Sequence, residues 1–150
     1  MVALADTGFI DSLYLEESTS TAADTVLAGR TEPLPLTPLA LLELRNAFNR
    51  AVHRQRISQE ERDALWLEVE ADIASGFLVP TPVATAALHD KARELSDRHT
   101  PALGTRTLDL LHVAAALLLG ATEFFSFDQR QRQAAAHEGL SVKPSPQSPA

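Results

Sequence analysis

Short apolar segments alternate with helix-like segments along the whole chain, and this alternation limits the folds that the chain can adopt. Val2–Ala5, Phe77–Val79 and Glu123–Phe127 have the length and composition of buried strands. Two weaker candidates are Pro33–Thr37, whose internal proline favours an edge position, and Leu140–Lys143. Strands that alternate with helices are typical of an α/β domain with a parallel sheet flanked by helices.

Capping residues and glycines mark the ends of the predicted helices. Thr37 followed by Pro38 is a typical helix start, Ser58 with Glu61 forms a capping box, and Thr105 or Thr107 can cap a later helix. The predicted helices cover seven segments: Phe9–Leu15, Ser18–Ala28, Leu39–Arg56, Ser58–Ala74, Val83–Arg98, Leu108–Leu119 and Asp128–His137.

The length of 150 residues predicts one domain, which we expect to cover residues 1–143, followed by a flexible Pro/Ser-rich tail at 144–150. The chain has no cysteine, which excludes disulfides, thiolate zinc sites and cysteine nucleophiles. The first residues lack a targeting signal, and the longest apolar run, Leu108–Leu119, is shorter than the ~20 residues that cross a bilayer. We therefore expect a soluble, cytoplasmic protein.

The net charge of −7 argues against non-specific binding to nucleic acid, because phosphate contacts depend on positive charge. The objection weakens if the acids are clustered around metal ions. Of the 13 basic residues, all but Lys91 and Lys143 are arginine. Arginine suits bidentate phosphate contacts, although genome composition could produce the same bias.

Four acidic residues occupy positions where the surrounding sequence is apolar. Asp109 lies in the apolar helix Leu108–Leu119, and Glu43 lies in another apolar helical stretch. Asp6 and Asp128 each follow an apolar strand. A buried carboxylate without a partner costs several kcal/mol, so each of these acids needs an explanation.

Each acid also has a purely structural interpretation. Asp6 and Asp128 could each be a helix N-cap. Glu43 could pair with Arg45 or a distant arginine, and Asp109 could pair with Arg106 or His112. Four such acids together favour a shared cation, because like charges repel. Ligands that are all carboxylate oxygens suit Mg²⁺ or Mn²⁺ better than zinc.

Four motifs resemble those of the PIN-domain nucleases, and most closely those of the VapC-type ribonuclease toxins of bacterial toxin–antitoxin pairs. They are LADT at Leu4–Thr7, LLELRNAF at Leu41–Phe48, RTLDLLHVAAAL at Arg106–Leu117 and FFSFDQR at Phe124–Arg130. The acidic positions of the family correspond, in order, to Asp6, Glu43, Asp109 and Asp128. The resemblance covers nearly the whole chain and implies a PIN-like three-layer α/β/α fold with a central parallel sheet.

This resemblance implies metal-dependent hydrolysis of RNA phosphodiester bonds. Asp6 and Asp109 would be the main ligands of Mg²⁺, with Mn²⁺ as a substitute, and Glu43 and Asp128 would act directly or through water. The number of metal ions stays open. Polar residues that match the family and could orient these acids or water, if they are not simply turn or cap residues, are Thr7, Asn46 and Ser126.

Other residues near the motifs have more than one interpretation. Arg106 and Arg130 lie beside proposed ligands and could hold substrate phosphate, or could pair with an acid. His112 is interpreted as a core or interface residue rather than a base, and His99 has no predicted role. The resemblance further implies an antitoxin partner and a homodimer, with Leu39–Arg56 and Ser58–Ala74 as candidate docking helices.

Three alternatives compete with the RNA nuclease. A PIN-like binding or scaffold module would lack catalysis, and metal-dependent cleavage would exclude it. A receiver or phosphatase domain needs further acids near the first strand, but Gly8 occupies the position where a phosphatase has its second aspartate. A nuclease that acts on DNA would have the same site chemistry, and only the resemblance favours RNA.

Overall fold

The computed structural model describes residues 2–146 as a mixed α/β protein whose strands all pair in parallel. The five strands are β1 (Ala3–Ala5), β2 (Leu34–Leu36), β3 (Leu78–Pro80), β4 (Glu123–Phe125) and β5 (Ser141–Lys143). The seven helices found within 2–146 are α1 (Thr7–Asp11), α2 (Ser20–Leu27), α3 (Pro38–His53), α4 (Gln59–Ala74), α5 (Thr85–Leu103), α6 (Thr107–Leu118) and α7 (Gln129–His137). The predicted α/β class with a parallel sheet flanked by helices is confirmed.

The described residues form two compact units, and each has its own parallel sheet. One unit is Thr7–Pro82, and the other joins the residues before Thr7 to those after Pro82. In the latter, which we call the acid unit, the strand order is β1-β4-β5, with Ala3 opposite Glu123 and Glu123 opposite Ser141. Residues 147–150 of the predicted tail lie outside the described residues.

The core of the acid unit lies between this sheet and helices α5, α6 and α7. Leu4 of β1 and Phe124 of β4 are buried with Leu95 of α5, Val113 of α6 and Ala135 of α7. Helix α6 is buried on most of its surface, as its apolar sequence predicts. This packing fixes the ends of β1, β4 and α6, on which the acidic residues lie.

The other unit, Thr7–Pro82, pairs β2 with β3 and packs α1, α3 and α4 around an aromatic cluster. The Phe48 ring contacts Tyr14 and Trp66 edge-on, with ring centroids 6.2 and 6.0 Å away. Pro35 fits β2 because Leu34 donates its N–H to Phe77 O at 2.8 Å, which turns the nitrogen of the next residue away from β3.

The two capped helix starts predicted in the Thr7–Pro82 unit, at Thr37 and Ser58, are confirmed. Thr37 Oγ1 accepts the N–H of Ala40 at 3.1 Å, and Pro38 is the first residue of α3. Ser58 and Glu61 form the predicted capping box at α4, with hydrogen bonds of 3.0 and 3.2 Å.

Helix α5 continues past its predicted end at Arg98 as far as Leu103, even though it contains Pro101. Two side-chain contacts support the extra turn: His99 bonds to the distant Glu138, and Thr100 bonds to Thr105 just beyond the helix. Gly104 then ends the helix in the left-handed conformation, with φ of 65°, and donates its N–H to Thr100 O at 2.8 Å. Within 2–146, no helix is long and apolar enough to cross a membrane.

Candidate active site

The carboxyl ends of β1 and β4 bring Asp6 and Ser126 together in the acid unit. Asp6 follows β1 and donates its N–H to Phe125 O at 2.9 Å, which continues the parallel pairing by one residue. Ser126 follows β4, is fully buried, and donates its Oγ–H to Asp6 Oδ2 at 2.5 Å. Ser126 therefore fixes the orientation of a carboxylate that is itself only 3% exposed. Ligand sites in parallel sheets form at this end of the strands.

Asp128 begins α7 and is connected to the same hydroxyl group. Its N–H donates to Ser126 Oγ at 3.0 Å, and its Oδ1 accepts the N–H of Gln131 at 3.0 Å as an N-cap. The structural interpretation of Asp128 as a helix cap is therefore confirmed. The capping bond uses one carboxylate oxygen, and Oδ2 faces the guanidinium of Arg106 at 3.9 Å.

Asp109 lies in the first turn of α6 and is 4% exposed. Its Oδ2 accepts the N–H of Arg106 at 2.9 Å, and its Oδ1 accepts Nε2–H of Gln131 at 3.1 Å. The prediction that Thr105 or Thr107 caps this helix is wrong, because Arg106 is the N-cap residue and the hydroxyl of Thr105 bonds to Thr100. Asp109 thus takes up one of the free N–H groups at the helix start.

These bonds join three of the four predicted acids into one chain of contacts, which we call the acid chain. Its members, in the order in which they touch, are Asp6, Ser126, Asp128, Gln131 and Asp109. The donors in it are hydroxyl, amide and main-chain N–H groups, which hold the carboxylates without neutralising their charge.

Two arginines lie beside this chain: Arg132 donates to the main-chain oxygen of Ser126 at 2.7 Å, and Arg106 faces two of the carboxylates. The guanidinium of Arg106 lies 3.6 Å from Asp109 Oδ2 and 3.9 Å from Asp128 Oδ2, and its side chain is 68% exposed. Ion pairs that are long and exposed contribute about 0–1 kcal/mol. Arg106 therefore confirms the predicted pairing with Asp109 and still has donors that face solvent.

Glu43 belongs to the Thr7–Pro82 unit, where it lies on α3. Its Oε1 accepts the hydroxyl of Thr7 at 3.0 Å. The hydroxyl of Thr7 therefore orients the carboxylate of Glu43 within this unit. Asn46 is exposed on α3, and Arg130 is exposed on α7.

His99 and His112, for which the sequence predicted no catalytic role, are both buried in the acid unit. His112 is 3% exposed within α6, in agreement with a core position. His99 Nε2 lies 2.7 Å from Glu138 Oε2, and Arg98 binds the same carboxylate. Although burial raises the pKa of Glu138, the hydrogen bonds from Arg98 and His99 bring it below its ordinary value. His99 therefore belongs to a structural ion-pair group.

Sequence reasoning missed Gln131, which is 8% exposed and binds Asp109. The available signal was its position three residues after Asp128, where a capped helix turns its third residue back toward the cap. A glutamine in a polar segment otherwise has the features of a solvent-exposed residue, and only the tertiary contact with Asp109 reveals its place.

The donor set of the acid chain suits a hard divalent cation in its chemistry. Its ligand atoms are carboxylate oxygens, and Asp6 and Asp109 are nearly fully buried. Within residues 2–146, no three His, Cys, Asp or Glu side chains are grouped closely enough to hold a metal ion by protein ligands alone. Mg²⁺ keeps several waters and needs only one or two carboxylates, so these acids fit that ion.

A parallel α/β fold with carboxylates at the strand ends defines a general class of ligand-binding domains. Comparison of the sequence with protein-family models identifies the family within this class. The model for the PIN domain matches residues 3–137. This chain belongs to the PIN-domain family. A search of curated proteins gave no match.

Solved structures of similar fold include proteins from toxin–antitoxin systems. The toxin VapC20 of Mycobacterium tuberculosis, described as cleaving the sarcin–ricin loop, is 20% identical, with a TM-score of 0.68 over 95% of this chain and 99% of that one. FitAcB from Neisseria gonorrhoeae is 18% identical, with a TM-score of 0.65 over 94% and 96%. VapBC2 from Rickettsia felis, bound to a promoter DNA fragment, is 12% identical, with a TM-score of 0.66 over 95% and 98%. These similarities establish the fold.

Proposed function

We propose that this chain is a metal-dependent endoribonuclease and the toxin of a toxin–antitoxin pair. The observation that carries the proposal is the acid chain, in which Asp6, Asp109 and Asp128 are held by neutral donors at the strand and helix ends. Carboxylate oxygens that are oriented by neutral donors suit a bound cation. Membership of the PIN-domain family supports the same site.

Asp6 and Asp109 would hold Mg²⁺ or Mn²⁺, with Asp128 acting directly or through water. When bound, the ion supplies polarisation of the phosphodiester and activation of water. Ser126 would keep Asp6 in one orientation, because its hydroxyl donates to Oδ2 and accepts from the main chain of Asp128. The role of Glu43 as a fourth acid stays a prediction.

Arg106 would bind the substrate phosphate. Its exposed guanidinium lies beside Asp109 and Asp128 and loses little when those long ion pairs are exchanged for a phosphate contact. RNA is proposed over DNA because the motifs resemble those of ribonuclease toxins. VapC20, a protein of similar fold, is described as a toxin that cleaves the sarcin–ricin loop. A cognate antitoxin is proposed as a partner because a toxin–antitoxin complex from Klebsiella pneumoniae has a similar fold. A second copy of this chain is proposed from the motif resemblance alone.

The test incubates purified, partner-free protein with a structured RNA in Mg²⁺, in Mn²⁺ and in EDTA. Asp6→Asn and Asp109→Asn are compared with Asp97→Asn, which changes an exposed acid on α5. We expect cleavage that requires metal, falls by more than about 100-fold in the first two variants, and stays unchanged in the control.

The same reactions with single- and double-stranded DNA distinguish the substrates. Cleavage of DNA alone would overturn the choice of RNA. No cleavage of either nucleic acid by folded protein in Mg²⁺ and Mn²⁺ would favour a non-catalytic binding module. Cleavage that survives both site substitutions would place the active site elsewhere.

A further inference from the structure

Gln131 is the member of the acid chain that connects α7 to α6. The residue is 8% exposed, and its Nε2 donates to Asp109 Oδ1 at 3.1 Å. Its main-chain N–H is held by Asp128 at 3.0 Å. One residue therefore contacts two of the three acids, each through a different donor.

The second oxygen of Asp109 is held independently by its own helix. Oδ2 accepts the N–H of Arg106 at 2.9 Å, and both groups belong to the start of α6. A single bond would leave the carboxylate free to rotate about that contact. The donor from Gln131 comes from another element and fixes the second oxygen, which orients the carboxylate plane.

The amide oxygen of Gln131 is buried but accepts no hydrogen bond from the residues that the structure describes. A buried acceptor without a donor costs about 1–3 kcal/mol, and a bound water or ion is one way in which native proteins satisfy it. The orientation of the amide is fixed, because only its nitrogen can donate to the carboxylate of Asp109. The oxygen is thus available to a ligand that donates a proton, such as water.

We propose that Gln131 is a positioning residue for the cation site: its Nε2–H group holds Asp109 in its ligating orientation, and its Oε1 accepts a hydrogen bond from a water bound in the site. This inference rests on the proposed function, since it assumes that Asp109 binds a cation. A neutral amide suits the task because a cationic donor in its place would compete with the metal for the carboxylate.

The test measures Mn²⁺ affinity by titration calorimetry and by the electron paramagnetic resonance signal of free Mn²⁺, together with RNA cleavage. Gln131→Met keeps the length of the side chain and removes both amide atoms. Gln133→Met makes the same change at an exposed position of the same helix and is the matched control. We expect Gln131→Met to weaken Mn²⁺ binding by about 10- to 100-fold and the control to change it by less than about 2-fold.

A second variant separates positioning from folding. Gln131→His retains a ring N–H that can donate to Asp109, so we expect its Mn²⁺ affinity to stay within about 3-fold of wild type, whether or not the Met variant folds. A loss of affinity in the folded His variant as large as that in the Met variant would overturn the donor role. Unchanged affinity in the folded Met variant would overturn the whole inference.

Measurements on the wild-type protein separate a failure of the proposed function from a failure of the role assigned to Gln131. Wild type that binds no Mn²⁺ and cleaves no RNA contradicts the proposed function, and the inference falls with it. Wild type that binds Mn²⁺ and cleaves RNA, beside a Met variant that does both equally well, contradicts only the role of Gln131.

Discussion

At the scale of single residues, Asp128 combines two roles that one pair of substitutions can separate. Its Oδ1 caps α7, and its Oδ2 faces Arg106. Asn caps a helix about as well as Asp, whereas Ala does not. We therefore expect Asp128→Asn to keep the free energy of unfolding within about 0.5 kcal/mol of wild type, and Asp128→Ala to lose about 1 kcal/mol.

Both variants remove the carboxylate charge, so we expect both to lose RNA cleavage to the same extent, although only one of them is less stable. Urea denaturation and the cleavage assay provide the two measurements. An Asn variant with full activity would show that Asp128 serves only as a helix cap.

Asp11, at the end of α1, contributes a pH dependence that is unrelated to the acid chain. Burial raises the pKa of its carboxyl group to about 7, and the nearby carboxylate of Glu17 adds to the effect, while Arg56 opposes it. Its Oδ1 is buried without a hydrogen-bond partner among residues 2–146, in accord with an environment that disfavours the charged form. The folded protein therefore binds a proton here more tightly than the unfolded chain does.

Because the pKa of Asp11 is raised in the folded protein, its contribution to stability decreases as the pH rises. The contribution of Asp11 to stability is fully present below its unfolded pKa, near 3.8, and is lost as the pH rises through about 7. We expect Asp11→Asn to gain about 1–2 kcal/mol of unfolding free energy relative to wild type between pH 5 and 8, after allowance for partial exposure. Urea titrations at several pH values measure this gain. Asp24→Asn, an exposed acid on α2, is the control, and a difference that stays constant with pH would contradict the assignment.

At the scale of elements, the sequence predicts the type and order of every strand and helix, because buried strands are short apolar runs and helix starts carry caps. The ends are less accurate. Helix α5 passes Arg98 because the tertiary contact of His99 with Glu138 and the bond of Thr100 to Thr105 outweigh the effect of Pro101. The predicted threonine cap of α6 is wrong because Arg106 is the N-cap residue and Thr105 bonds to Thr100.

In the candidate site too, the local sequence predicts some residues, whereas others are recognised only from their tertiary contacts. Asp6 and Asp109 were predictable, since a carboxylate in an apolar segment stands out in the sequence. Ser126 was predictable only through the family resemblance. Gln131 was not, because its importance depends on its contact with Asp109, and those residues lie on different helices.

The start of α3 offers a test of capping at this scale. Thr37 is buried and its hydroxyl accepts the N–H of Ala40 at 3.1 Å. We expect Thr37→Ala to lower the free energy of unfolding by about 1–2 kcal/mol and Thr37→Ser to lower it by less than about 0.5 kcal/mol. Chemical denaturation of both variants measures the difference. Equal losses would mean that the methyl group, not the hydroxyl, stabilises this helix start.

At the scale of the whole molecule, the net charge of −7 makes strong metal-free binding to RNA unexpected. Affinity for a polyanion has to come from a locally favourable site. The acid chain and the exposed guanidinium of Arg106 provide such a site only when a cation offsets the carboxylates. Because of the negative net charge, we expect substrate binding to depend on metal binding.

The same charge balance predicts that metal stabilises the folded chain. An ion that binds only the folded state at ten times its dissociation constant adds about 1.4 kcal/mol, which corresponds to a rise in Tm of about 3–6 °C for a domain of this size. We expect this rise with Mg²⁺ or Mn²⁺, its loss on addition of EDTA, and its absence in Asp6→Asn and Asp109→Asn. KCl at matched ionic strength is the control, because it screens surface charge without occupying the site. An equal rise in KCl, or a rise that survives in both variants, would show that metal acts on the general acidity of the protein and not on the acid chain.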